Sequence, residues 1–217
     1  MANIDCAAKS YPFVFDYFSS VMKNRNIIGN TEGYAWFLTI YGVNNGCGVF
    51  TAAQKKTFKE EAEKLGALKT NVLAENIVLK DTSGATQDLH KFASENDYTL
   101  LMFYAPTCDH CQKEVPEIDS TAAVIERIMN IKIGRFAVCN EPGVPKRTWT
   151  DFISRYKLTK NAIHVDLPAN STIRSTYDAF ANPTFYLINR KAEVVVKKTS
   201  PLTLRKYFAS LQKNPKP

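Results

Sequence analysis

Cys108 and Cys111 stand two residues apart in the stretch Leu100-Leu-Met-Phe-Tyr-Ala-Pro-Thr-Cys-Asp-His-Cys-Gln-Lys-Glu-Val-Pro. Two thiols at that spacing can close into a disulfide and reopen by exchange with another. The apolar run ending at Ala105 reads as a strand covered on both faces. Pro106 reads as the turn after it, and Cys108 falls where a helix begins. Free N–H groups and the positive dipole end of a helix stabilise an anion, so Cys108 is expected to be the attacking thiolate. Cys111, about one turn on, is less exposed to the dipole and to solvent and is expected to resolve the mixed disulfide. Between them, a protonated His110 would favour the thiolate and make the disulfide more oxidising, whereas an ionised Asp109 would oppose it. The residues alone leave that balance open. A structural zinc site would need two further ligands. Only the isolated Cys139, His164 and His90 are at hand, with no second paired motif, so neither a metal nor any other cofactor is expected.

These residues need a scaffold, and the chain supplies an α/β alternation after residue 70. A strand over Ile77–Asp81 meets a turn at Thr82-Ser83-Gly84, and Leu89–Ser94 reads as a short helix. The strand over Tyr98–Ala105 is followed by a long helical pattern from Cys108 to Met129, with an interruption expected at Pro116. A strand over 131–139, a helix over 148–156, a short strand over 163–167 and a helix over 171–179 come next. Phe185–Ile188 and Ala192–Val196 read as a hairpin about Asn189-Arg190-Lys191, and Pro201–Leu211 as a last helix. The fold class implied is α/β, a central mixed sheet with helices on both faces. Ahead of it, residues 1–70 read as a small helical region: Tyr11–Met22, the apolar stretch Tyr34–Tyr41, and Ala52–Leu65 ended by Gly66. The division expected is 1–70, of no assigned role, and 71–217, the α/β domain.

The strand, the turn Ala105-Pro106-Thr107-Cys108-Asp109-His110-Cys111, Glu114 and Pro116 resemble the thioredoxin superfamily, and within it the exported bacterial thiol-disulfide oxidoreductases of the TlpA/ResA group. A second hallmark lies downstream in Phe180-Ala-Asn-Pro-Thr-Phe-Tyr-Leu-Ile-Asn-Arg-Lys-Ala-Glu-Val. By that match Pro183 is the cis-proline facing the dithiol, flanked by Asn182 and Thr184, and Asn182 offers its backbone to an extended substrate segment. The resemblance also implies that Glu114, one turn after Cys111, moves the Cys111 proton; the plainer reading is a solvated helix carboxylate. It covers residues 72 to 212 and departs from the family pattern at Thr107, Met102 and Asn182, where an aromatic residue, a buried polar residue and a Thr, Val or Ile are commoner. The implied activity is exchange with protein disulfides, in the reducing direction. The implied partners are a disulfide-containing protein substrate and a thiol electron donor, membrane-linked or soluble. The implied location is extracytoplasmic, in a periplasm, although Met1–Phe15 has neither the basic nor the apolar region of a signal peptide. A peroxidase is disfavoured because Pro106-Thr107-Cys108 is too tightly spaced. The alternative of a different class is a non-catalytic binding module of a larger exported protein, and retention of both cysteines speaks against it.

The chain of 217 residues has a net charge of +7. Its lysines and arginines are scattered, with no basic stripe interleaved with aromatics, so nucleic acid is not an expected partner. No apolar run approaches the ~20 residues needed to span a bilayer. Cys139 reads as an inert core thiol, His164 as a half-buried satisfied histidine, and Trp36 and Trp149 as packing residues. Cys47 sits in a Gly-rich loop, and Cys6 is solitary.

Overall fold

The computed structural model describes residues 8–23, 30–45, 48–67 and 70–213. The chain divides into two compact units, Met1–Lys69 and Thr70–Pro217. Cys6 and Cys47 lie outside the described residues.

In the first unit α1 (Tyr11–Met22) carries proline in its first turn, where the missing N–H costs no hydrogen bond. α2 (Asn30–Phe37) continues directly into a π-helical stretch, Leu38–Val43, and α3 (Ala52–Ala67) completes the unit. Helix α3 runs past Gly66 rather than ending there. Tyr11, Phe15, Tyr34, Phe37, Leu38 and Phe50 form the core, with the Phe15 ring 4.8 Å from that of Phe50 and 5.0 Å from those of Phe37 and Phe58. Gly42 is required where it stands, because a Cβ there would come within 2.9 Å of the Phe58 ring. Trp36 does not pack in the core as expected: it is 57% exposed, its ring edge-on to that of Tyr41.

The second unit is built on a sheet that contains β3 (Tyr98–Tyr104), β4 (Ile133–Cys139), β5 (Ala162–Asp166), β6 (Thr184–Asn189) and β7 (Val194–Val196), ordered β5-β4-β3-β6-β7. The first three pair in parallel, and β6 and β7 are antiparallel. Strand β3 sits at the centre, and Thr99 to Tyr104 are all buried, which is why it reads as an unbroken apolar run. Ahead of it, β1 (Val78–Lys80) and β2 (Thr86–Asp88) form a separate antiparallel hairpin leading into α4 (Leu89–Ser94), which Asp88 caps through the Lys91 N–H.

One face of the sheet is covered by α5 (Asp109–Met129), α6 (Lys146–Arg155) and α8 (Pro201–Lys213). Cys111, Val115, Ile118, Trp149, Phe152 and Phe208 there join Leu100, Met102 and Tyr104 in a common core. The other face receives Phe92 of α4, against Phe136, and Tyr177, against Phe103. Helices on both faces of a mixed sheet is the fold class the sequence implies.

Two further helices depart from expectation. Helix α5 passes through Pro116 without a break. Interior proline costs about 3 kcal/mol, but each large side chain buried on the helix stripe contributes about 1.5–3 kcal/mol. Val115, Ile118 and Ile125 are all buried there, so packing outweighs the lost bond. The helix over 171–179 is reduced to the single turn α7 (Ile173–Thr176), since Asp178 takes a left-handed φ of 44° and turns the chain toward β6.

Candidate active site

Strand β3 delivers the chain to one end of the sheet, and Ala105-Pro106-Thr107 turns it into α5. Cys108 is the N-cap residue of that helix, in an extended conformation, and its sulfur accepts the Cys111 N–H at 3.4 Å. The Cys108 sulfur therefore stands where the unpaired N–H groups of the helix converge. Cys108 is half-buried and Cys111 fully buried, and both are free thiols. The Cys111 sulfur accepts from the Ala105 N–H at 3.4 Å. Burial pushes the Cys111 thiol well up from its ordinary range, and the neighbouring Cys108 and Glu114 push it in the same direction. Glu114 is partly buried on the same helix, close enough for its charge to be felt at Cys111. Asp109 and His110 sit in the exposed first turn of α5, and Pro106 is exposed less than either.

The downstream segment comes to the same place. The Cys108 sulfur lies 3.7 Å from the Asn182 carbonyl oxygen, across 74 residues of sequence, and the Asn182–Pro183 peptide bond is cis. Thr184 is buried, its hydroxyl donating to the Ala181 carbonyl at 2.7 Å. Cys108, Cys111, Glu114, Asn182, Pro183 and Thr184 are thus gathered at one end of the sheet.

Three further residues shape this end and carry no local sequence signal. The Glu141 carboxylate accepts both donors of Thr107, the N–H at 3.1 Å and the hydroxyl at 2.7 Å. Asn140, 5% exposed, donates through Nδ2 to the Ala179 carbonyl at 2.7 Å and to Asn182 Oδ1 at 2.9 Å. Arg174 Nε donates to Asn140 Oδ1 at 2.7 Å. Asn140 and Glu141 sit in the loop after β4 and Arg174 in the single turn α7, and only the fold brings them to the dithiol.

Beneath the turn lies a buried polar chain. Trp149 Nε1 donates to the Tyr104 hydroxyl at 2.6 Å, that hydroxyl lies 2.9 Å from His164 Nδ1, and His164 Nε2 lies 2.6 Å from the Leu158 carbonyl. A carbonyl can only accept, so Nε2 carries the proton and Nδ1 accepts from Tyr104. His164 is buried rather than half-buried, and burial lowers its pKa. Cys139 is also buried, and desolvation pushes its thiol up to about 12, as suits an inert core thiol. Among the described residues, no three His, Cys, Asp or Glu side chains gather to hold a metal ion. No helix among them is long and apolar enough to cross a membrane.

Known proteins share this architecture. A thioredoxin-like protein from Bacteroides caccae superposes with a TM-score of 0.64 at 16% identity, covering 96% of this chain and 89% of its own. The thioredoxin domain of a thiol-disulfide oxidoreductase from Bacteroides vulgatus superposes with a TM-score of 0.53 at 20% identity, covering 65% of this chain and 99% of its own. The chain has the thioredoxin-like fold. In sequence it is 25% identical over 103 residues to protein disulfide-isomerase A4 of Bos taurus, a match covering 48% of this chain and 12% of that protein. It is 44% identical over 39 residues to protein disulfide-isomerase A5 of Mus musculus, covering 18% and 8%. The chain thus spans only about a tenth of the curated relatives it matches. No family model matches it.

Proposed function

We propose that the chain is a thiol-disulfide oxidoreductase of the TlpA/ResA kind, reducing protein disulfides through Cys108 and Cys111. The observation that carries this reading is the Cys108 sulfur at the N-cap of α5, 3.7 Å from the Asn182 carbonyl, with Cys111 buried one turn behind it.

The Cys108 thiolate attacks one sulfur of a substrate disulfide. The substrate S–S bond breaks, a Cys108–substrate bond forms, and the other substrate sulfur leaves as a thiolate that takes a proton. The substrate segment lies along Asn182 and Thr184, opposite Pro183, in strand-like pairing with the backbone. Until then Cys111 stays protonated, since burial and the neighbouring sulfur both disfavour its charge. Once Cys108 is in a mixed disulfide its negative charge is gone, and one cause of that suppression goes with it. Glu114 then takes the Cys111 proton, and Cys111 attacks the Cys108 sulfur. The protein disulfide closes and the second substrate thiolate departs. The substrate gains two electrons and the dithiol loses them, so a thiol donor, membrane-linked or soluble, restores the reduced state. His110 and Asp109 tune the balance from the first turn of the helix. Work outside the cytoplasm, in a periplasm, completes the reading, and the unit Met1–Lys69 takes no part in the chemistry.

Reduction of insulin disulfides by the wild type and by Cys108→Ser tests the proposal. Loss of activity in the variant is expected. Equal rates would leave the non-catalytic binding module as the reading.

A further inference from the structure

The turn that touches the nucleophile is pinned. Asn140 spends both hydrogens of its buried amide on it, one at the Ala179 carbonyl and one at Asn182 Oδ1. The Thr184 hydroxyl holds the Ala181 carbonyl. Asn140 is itself fixed by Arg174, and its backbone N–H donates at 2.7 Å to the Tyr104 carbonyl, where β3 leads toward Cys108. Upstream, the Tyr186 hydroxyl holds the Tyr177 carbonyl. Phe180 lies inside this turn with its side chain outward, 67% exposed.

Isolated exposed apolar residues are ordinary on protein surfaces. Phe180 differs in its position, two residues before the carbonyl that lies 3.7 Å from the Cys108 sulfur. Two residues of chain span at most about 7 Å. On the other side of the dithiol the N–H and hydroxyl of Thr107 are both committed to the Glu141 carboxylate, and Pro106, Phe152 and Tyr156 line a hollow beside it. The Phe180 ring adds a further apolar surface on the turn that carries Asn182, whose backbone needs no ordering on binding.

We propose that Phe180 is a specificity-determining residue of the dithiol site, covering an aliphatic or aromatic side chain beside the attacked cysteine of a polypeptide disulfide. The proposal rests on the redox reading above and names its substrate class. An extended substrate advances about 3.3 Å per residue, so a side chain one or two positions from the cysteine reaches the ring while its sulfur meets Cys108.

The test uses the full chain and two cyclic peptide disulfides that differ in one residue beside a cysteine, leucine in one and serine in the other. The wild type should favour the leucine peptide by about tenfold in kcat/KM, the size expected for covering one large apolar side chain. Phe180→Ser should bring that ratio close to one, and Phe180→Tyr, which keeps the ring, should preserve it. A wild type that reduces both peptides without preference, or a Phe180→Ser variant that keeps the preference, overturns the proposal while leaving the redox reading intact. A wild type that reduces neither peptide nor insulin overturns the redox reading, and this proposal with it.

Discussion

At Cys111 burial strengthens the hold of the thiol on its proton, and Glu114 lies close enough for its charge to be felt there. If Glu114 accepts the Cys111 proton, Glu114→Gln slows closure of the protein disulfide by about a hundredfold, more than it slows the attack by Cys108. Stopped-flow measurement of mixed-disulfide formation and decay checks this, and equal slowing of both steps would remove Glu114 from the proton path. His164 makes a separate prediction. Burial lowers its pKa below the ordinary 6.5, so on acidification the unfolded chain takes up a proton that the folded chain refuses. Its contribution is therefore complete above the ordinary value and is lost as pH falls toward the depressed one. Unfolding free energy should decline as pH falls below the ordinary 6.5, with a slope that His164→Gln reduces, as urea titrations at several pH values would register. The cysteines and Asn182-Pro183-Thr184 were legible in the sequence because each is a local pattern. Asn140, Glu141 and Arg174 were not, since each acts on a residue more than thirty positions away.

The elements that hold the site rest on one buried ion cluster. Arg135, 1% exposed in the middle of β4, pairs at 2.8 Å with both Asp119 and Glu126 of α5. It ties α5 to the sheet, and removing it strands two carboxylates. Arg135→Ala should cost about 3 kcal/mol of stability, measurable by denaturant unfolding. Gly134, its neighbour, has no room for a side chain, because a Cβ would lie 2.5 Å from the Phe92 ring and 2.6 Å from the Asn96 amide. Gly134→Ala is expected to cost about 1–3 kcal/mol by overpacking, read in the same titration. Periodicity exposed the central strands and α5 because their buried faces are long. It missed β2, whose Thr86-Gln87-Asp88 has no apolar side to reveal it, and it overextended α7, which Asp178 cuts short. Pro116 misled because propensity is a local quantity, whereas the burial that overrides it belongs to the packed core.

Across the whole molecule, the two units differ in kind. Met1–Lys69 packs Tyr11, Phe15, Tyr34, Phe37 and Phe50 into a core of its own, and Thr70–Pro217 contains every residue of the candidate site. A chain of residues 70–217 alone is expected to exchange disulfides at a rate within a few-fold of the full chain, and an insulin-reduction assay of the two would check it. The change from helical to alternating sequence near residue 70 was legible because it is a change of period. The exposure of Trp36 was not, because it depends on which side of α2 the first core occupies. The most direct test of the account uses the full chain as Cys111→Ser, mixed with a disulfide-bonded protein and analysed by mass spectrometry. A stable adduct on Cys108 is expected, and none in the Cys108→Ser variant. An adduct on Cys111 in that second variant, or no adduct in the first, would contradict it.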